Sequence, residues 1–291
     1  MSYIIHGATG AQGAPILQRL KRAGRPVIGA IHRSSPPEGF QTVSIDNGSV
    51  DSLVTAYHGA EGIFIHLPQT AETVRIRYAH NIAKAIAIAQ PKRVVISTSG
   101  VVVDEPSSPL QASPESSIAI LIDEVSKTPV SMAVVAPRLY LENLLLPLVY
   151  SDVLSNGILR YPLRDDMPVS WSSHLDVAEV VEQLLTDPSI TGIVGIGYLP
   201  GLTGTELADG FAQHLGKSVR YESMAPESFG KLLTPILGEA AASNVAGFYQ
   251  MLQAPPTHSI KAKTSAQQLV GLTPRSVAQW LSGAVASVAT P

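Results

Sequence analysis

Cysteine is absent from all 291 residues. That excludes disulfides, thiolate zinc sites, iron–sulfur clusters and a cysteine nucleophile together. Charge is sparse, 15% of residues with a net of −3, and no long basic run occurs; direct nucleic-acid binding is therefore not expected. No stretch of about 18 uninterrupted apolar residues occurs, as a membrane span would need. Leu141 to Tyr150 comes nearest, and Glu142, Asn143 and Pro147 break it. The opening MSYIIHGATG has neither a basic n-region nor a cleavage site, so a soluble cytoplasmic protein with no membrane partner is expected. With 45% hydrophobic residues, the chain can bury a large core, as one unit or as two lobes.

What is present is concentrated first near the N-terminus. A β-branched run, Tyr3 to His6, leads into Gly7-Ala8-Thr9-Gly10-Ala11-Gln12-Gly13, and an amphipathic stretch from Pro15 to Lys21 follows. Strand, glycine turn and helix in that order form the context of a dinucleotide fingerprint. The spacing is G-x-x-G-x-x-G. Glycine removes Cβ where backbone must approach a pyrophosphate, and the helix N-terminus offers N–H groups to the anion.

The alternation continues. Strands are predicted at 26–32, 41–46, 62–66, 93–98 and 130–136, with helices at 50–57, 72–89 and 114–126 between them. The strands are continuous Val/Ile runs, as expected when helices cover both faces of a parallel sheet. The fold class is therefore α/β, a doubly wound parallel Rossmann sheet. From about Tyr140 prolines cluster and the rhythm changes. We divide the chain into a nucleotide-binding domain, 1–139, and a smaller α/β lobe, 140–291, capping the cofactor crevice; about 176–200 is expected to return to the sheet.

Several residues could carry chemistry. Arg33 follows the second strand, where NAD enzymes often place an acid; its guanidinium, with Ser34 beside it, suits the 2′-phosphate of NADP. Asp46-Asn47 ends the third strand, where a carboxylate can accept from the adenine amino group or close an Asx turn. Ser97-Thr98-Ser99 ends the fifth strand, with hydroxyls for a ribose or a substrate carbonyl. His66, Leu67 and Pro68 end the fourth as a wall against the cofactor. His6 reads as a hydrogen-bonded core histidine. Asp176 and Glu179 read as a capping box, while His174, with Trp171, could line a pocket. His32 and His66 lack a third ligand in register, so no metal is expected.

GATGAQG, Arg33, RVVISTSG, PRLYLENLL, HLDVAEVVEQLL and TSAQQLVGLTPRSVAQWL together resemble the NmrA-like group of atypical short-chain dehydrogenases/reductases, over nearly the whole chain. The Pro137…Tyr140…Glu142-Asn143 segment is the more particular mark. The resemblance implies NADP(H) as cofactor. It places Gly7, Thr9, Gly10, Gln12, Gly13 and Arg33 at the nucleotide and Tyr140 and Asn143 at the pocket wall; Ala11 and Pro137 are expected to bind the cofactor beside them. It also implies either reduction of quinones, azo dyes or conjugated substrates, or redox sensing through a protein partner.

The chain departs from its enzymatic relatives. None of the nine tyrosines has a lysine four residues later, and Ser113-Pro114-Glu115-Ser116-Ser117-Ile118 holds no lysine where relatives often keep one. Lys127 falls at the far end of that helix, where it complements the helix dipole. Tyr140, Asn143 and His174 remain as catalytic candidates. The expected activity is NADPH-dependent hydride transfer to a small, quinone-like or conjugated apolar acceptor, with Trp171, Phe229 and Phe248 taken to favour a substrate pocket. The alternative is a non-catalytic NADP(H)-binding sensor that acts through a protein partner.

Overall fold

The computed structural model describes residues 2–32 and 36–288, with side chains through residue 284. In chain order the elements begin with β1 (Tyr3–His6), α1 (Gly13–Arg22), β2 (Val27–Ile31), β3 (Gln41–Ser44), α2 (Val50–Tyr57) and β4 (Gly62–Ile65). Then come α3 (Glu72–Ala89), β5 (Arg93–Ser97), α4 (Ser117–Ser126), β6 (Ser131–Pro137), β7 (Leu139–Tyr140) and a 3-10 turn at Leu141–Leu145. Next are α5 (Pro147–Asn156), β8 (Ile158–Tyr161), β9 (Trp171–Ser172), α6 (His174–Thr186) and β10 (Gly192–Ile196). The last are α7 (Gly204–Leu215), β11 (Arg220–Ser223), α8 (Pro226–Leu237), α9 (Glu239–Met251), α10 (Ala266–Val270) and α11 (Val277–Val288).

Two compact units result. The first comprises Met1–Pro137, His174–Ile196 and Lys263–Leu272. Its centre is a seven-stranded sheet in the order β10-β6-β5-β4-β1-β2-β3, with every pairing parallel. The strands are apolar throughout because both faces are covered. Ile4, Ile63, Ile65, Val94 and Ile96 enter one core with α2, α3 and α4. On the other face α1 packs on α6, and a Cβ on Gly62 would meet Leu185 of α6 at 3.1 Å. Strand order reverses between β1 and β4, the switch point where such sheets open a crevice at their carboxyl ends.

Arg93 pins this unit at the opposite end of β5. It is 2% exposed, and its guanidinium donates to Leu184 O at 2.7 Å, Ser131 Oγ at 2.7 Å and Ile190 O at 2.5 Å. One arginine thus satisfies carbonyls at the end of α6 and in the loop before β10.

The second unit comprises Arg138–Ser173, Gly197–Ala262 and Thr273–Pro291. Two small parallel pairs, β8 with β11 and β7 with β9, are its sheets. Its core is aromatic: Tyr161 lies 5.4–5.5 Å, centroid to centroid, from Trp171, Phe229 and Tyr249. Trp171 and Phe229 are fully buried there. Those rings fill their own unit's core, which corrects the expectation that they line a pocket. Phe248 stacks edge-on against Tyr249.

Two helix starts differ from expectation. α4 begins at Ser117 because Ser116 caps it, its hydroxyl accepting from Ala119 N; Pro114 and Glu115 precede it in a turn closed by Ser113 on Glu115. α6 begins at His174, which puts Asp176 inside the first turn, not at the cap. Glu179 meets Arg19 of α1 at 3.4 Å, so the expected capping box is not made. The capping box that does form joins Thr203 and Glu206 at the start of α7. No helix among the described residues is long and apolar enough to cross a membrane.

Candidate functional site

The turn between β1 and α1 leaves no room for side chains at two of its glycines. Gly7 has φ +59°, and a Cβ there would stand 2.2 Å from His66 Nε2. A Cβ on Gly13 would stand 2.2 Å from Gly7 O and 2.6 Å from His6 O. Gly10 N donates to Gly7 O at 2.8 Å, closing the turn. The backbone is thus bare at the carboxyl end of β1, beside the switch point.

Gln12 stands at the N-cap position of α1 but makes no side-chain cap bond. Its carboxamide reaches β5 instead: Ser97 Oγ donates to Gln12 Oε1 at 2.7 Å, and Gln12 Nε2 donates to Ser99 Oγ at 3.0 Å. Ser99 holds a left-handed conformation, φ +54°, braced by its own N–H on Ser97 Oγ at 3.2 Å. The first-turn N–H groups of α1 therefore keep no side-chain acceptor from the cap, and such a terminus binds anions. Ser97, expected from the sequence as a strand-end hydroxyl of the crevice, bonds Gln12; that pairing across 85 residues has no local signal in the sequence.

The neighbouring strand ends carry buried polar atoms without hydrogen-bond partners among the described residues. These are His66 Nε2, Thr98 Oγ1 and Asn47 Oδ1. Burial holds the His66 imidazole below its ordinary pKa; a backbone bond at Leu67 opposes this, and the nearby His174 adds to it. Asn47 O accepts from Asn81 Nδ2 at 3.0 Å. Asp46 is exposed, and its Oδ1 accepts from Gly48 N at 2.8 Å, an Asx turn. Leu67 is buried, Pro68 half-buried, and Thr9 and Ala11 are exposed on the turn. Pro137 ends β6, opposite Ile196. His6 is the core histidine expected, its Nε2 2.8 Å from the Tyr57 hydroxyl; burial first, then His66, brings its pKa to about 3.

The structure thus brings Gly7 to His66 and Gln12 to Ser97 and Ser99. Arg33 and Ser34 lie outside the described residues. Of the catalytic candidates, His174 opens α6 in the first unit, while Tyr140 and Asn143 belong to the second. Asn143 hydrogen-bonds the buried Tyr161 hydroxyl, which burial raises well above the ordinary phenol range. Lys127 is the C-cap of α4 and pairs with Asp123 at 2.5 Å. Among the described residues no group of three or more His, Cys, Asp or Glu could hold a metal ion.

The family model described as "NmrA-like family" matches residues 3–280. No curated protein matches the chain in sequence. Among solved structures, the triphenylmethane reductase of Citrobacter sp. complexed with NADP(H) is 18% identical, with a TM-score of 0.78 over 97% of this chain and 100% of that one. The NADPH-dependent quinone oxidoreductase of Escherichia coli complexed with NADPH is 17% identical, with a TM-score of 0.72 over 98% of this chain and 100% of that one. NmrA, a negative transcriptional regulator, is 18% identical, with a TM-score of 0.64 over 77% of this chain and 75% of that one. At these identities the likeness establishes the fold.

Proposed function

This chain belongs to the NmrA-like family, and we propose that it is a soluble NADPH-dependent oxidoreductase acting on a small, quinone-like or conjugated apolar acceptor. The observation that carries the reading is the bare glycine turn at the switch point, where a Cβ on Gly7 or Gly13 would meet other atoms at 2.2 Å. A dinucleotide's pyrophosphate is the ligand such a cradle admits. The orphaned acceptor at Asn47 and hydroxyl at Thr98 fit the two ends of the same ligand. The NADP(H) and NADPH bound in the Citrobacter and E. coli reductases support the choice of cofactor.

The roles then follow from chemistry. Gly7, Gly10 and Gly13 let the pyrophosphate approach backbone, with the N–H groups around Ala11 and Gln12 as donors. Arg33 and Ser34 are assigned to the 2′-phosphate, since a guanidinium forks onto phosphate oxygens. Asn47 Oδ1 accepts from the adenine amino group; Thr98 and Ser99 serve the nicotinamide ribose, and His66, Leu67 and Pro68 wall the cofactor. Reduced nicotinamide, when bound, supplies hydride. His174, at the start of α6 in the same unit as the turn, is assigned to orienting the acceptor, and Tyr140 and Asn143 stay catalytic candidates by the resemblance alone. No Tyr-x-x-x-Lys donor exists in the sequence, so an acceptor that water can protonate afterwards suits the chain, because its reduction needs orientation above all.

The missing donor also favours a second reading, a sensor that binds NADP(H) without turnover and acts through a protein partner; the fold shared with the regulator NmrA agrees with it. Purified protein mixed with NADPH and a panel of quinones, azo dyes and enals separates the two. Loss of NADPH absorbance with at least one acceptor is expected. Tight binding with no turnover on any acceptor overturns the enzyme in favour of the sensor.

A further inference from the structure

His66 has a geometry that nothing in the first unit explains. Its ring presses on one of the two turn glycines that leave no room for a side chain: a Cβ on Gly7 would meet Nε2 at 2.2 Å, Cε1 at 2.9 Å and Cδ2 at 3.3 Å. Nε2 is buried, and no described residue bonds it. A buried imidazole nitrogen without a partner is costly. His6, by contrast, is satisfied by Tyr57 at 2.8 Å.

The titratable groups acting on His66 are also distinctive. His6 from β1 faces it, with the Tyr57 hydroxyl of α2 behind, and His174 from α6 faces it as well. Phe64 is its ring neighbour at 6.0 Å. Among the described residues no carboxylate acts on it. Burial and His174 favour the neutral imidazole and outweigh the backbone bond at Leu67, which favours the charged one; an anion on the turn would add to the latter.

We propose that His66 is a proton-coupled contact for the nucleotide: its Nε2 bonds the pyrophosphate held by the glycine turn, and binding takes up one proton from solvent at that ring. The proposal rests on the nucleotide reading of the turn. The balance is simple, since the imidazole lone pair takes the proton, the imidazolium donates to a phosphate oxygen, and nothing is oxidised or reduced. His66 is a positioning residue in this role and touches no acceptor.

Calorimetric titration of the intact protein with NADPH, in buffers of differing ionisation enthalpy, counts the protons taken up. Between pH 8 and pH 6 the wild type should take up more protons than His66→Gln, and its affinity should rise more steeply, with a difference in slope approaching tenfold per pH unit. The 2′-phosphate titrates in both proteins and cancels in the comparison. Equal proton uptake and parallel affinity profiles overturn the role of His66 while leaving the nucleotide reading intact. Absence of binding by the wild type at every pH overturns the nucleotide reading itself, and this inference with it. Should His66→Gln fail to fold, histidine NMR titration of the wild type gives the same answer. The His66 ring should charge at higher pH with NADPH than without, and an unchanged titration contradicts the proposal.

Discussion

Gln12 accepts a 2.7 Å hydrogen bond from Ser97, 85 residues away, and so ties the glycine turn to the end of β5. With the second bond to Ser99, one carboxamide sets the spacing between two strand ends. Each bond contributes about 0.5–1.5 kcal/mol net. Gln12→Ala should therefore lower unfolding free energy by about 1–3 kcal/mol and weaken NADPH binding. Denaturant melts of Gln12→Ala, Ser97→Ala and the double variant should show coupling, since the second change removes a bond already lost. Strict additivity would show that the clasp contributes nothing.

Gly7 and Gly13 should respond differently to the same methyl group. At Gly7 the obstacles are a side chain, His66, and a positive φ; at Gly13 they are the carbonyl oxygens of Gly7 and His6. Gly7→Ala should be partly rescued by His66→Ala, leaving a left-handed penalty of roughly 1–2 kcal/mol. Gly13→Ala should gain nothing from that second change. Thermal melts of the four variants test this, and equal rescue at both positions would contradict the geometry.

The doubly wound sheet was legible because its strands are unbroken Val/Ile runs and its turn is GATGAQG; periodicity and glycine spacing are local signals. Long-range pairings were not legible. Nothing local tells that Gln12 ignores its own helix for Ser97, that His66 lies against Gly7, or that Arg93 is buried under three acceptors. Asp176 misled because D-x-x-E is a local pattern, while α6 starts two residues upstream, at His174. Trp171 and Phe229 misled for a related reason: composition marks rings as apolar without saying whether they line a cavity or fill each other's.

Acid should destabilise the fold early, through His6 and His258. Burial first, with His66 in one case and Arg138 in the other, holds each at about 3, whereas an unfolded histidine titrates near 6.5. Between those values the unfolded chain binds more protons, so stability is full above about 6.5 and falls as pH drops toward 3. The slope is roughly 1.4 kcal/mol per pH unit for each group. Urea melts from pH 7 to pH 4 should show it, and His6→Gln should flatten it by about one proton. An unchanged slope in that variant would mean His6 is not held neutral.

Arg93→Ala should be among the most damaging single changes in the first unit. It strands the carbonyls of Leu184 and Ile190, each costing about 1–3 kcal/mol when buried and unsatisfied. Arg93→Lys keeps the charge but cannot reach three acceptors with one planar fork, so it should recover only part of the loss. Full recovery by lysine, measured by chemical denaturation, would reduce the role of Arg93 to charge alone.

The central claim, a nucleotide on the β1–α1 turn with its 2′-phosphate read by Arg33, is tested most directly by thermal shift with NADPH and NADH at matched concentration. Ligand at a hundred times its dissociation constant adds about 2.7 kcal/mol, which for a chain of this size corresponds to roughly 5–10 °C. NADPH should give that shift and NADH far less, and Arg33→Glu should reverse the order. Equal shifts with both nucleotides would contradict the role of Arg33, and no shift with either would contradict the nucleotide site itself.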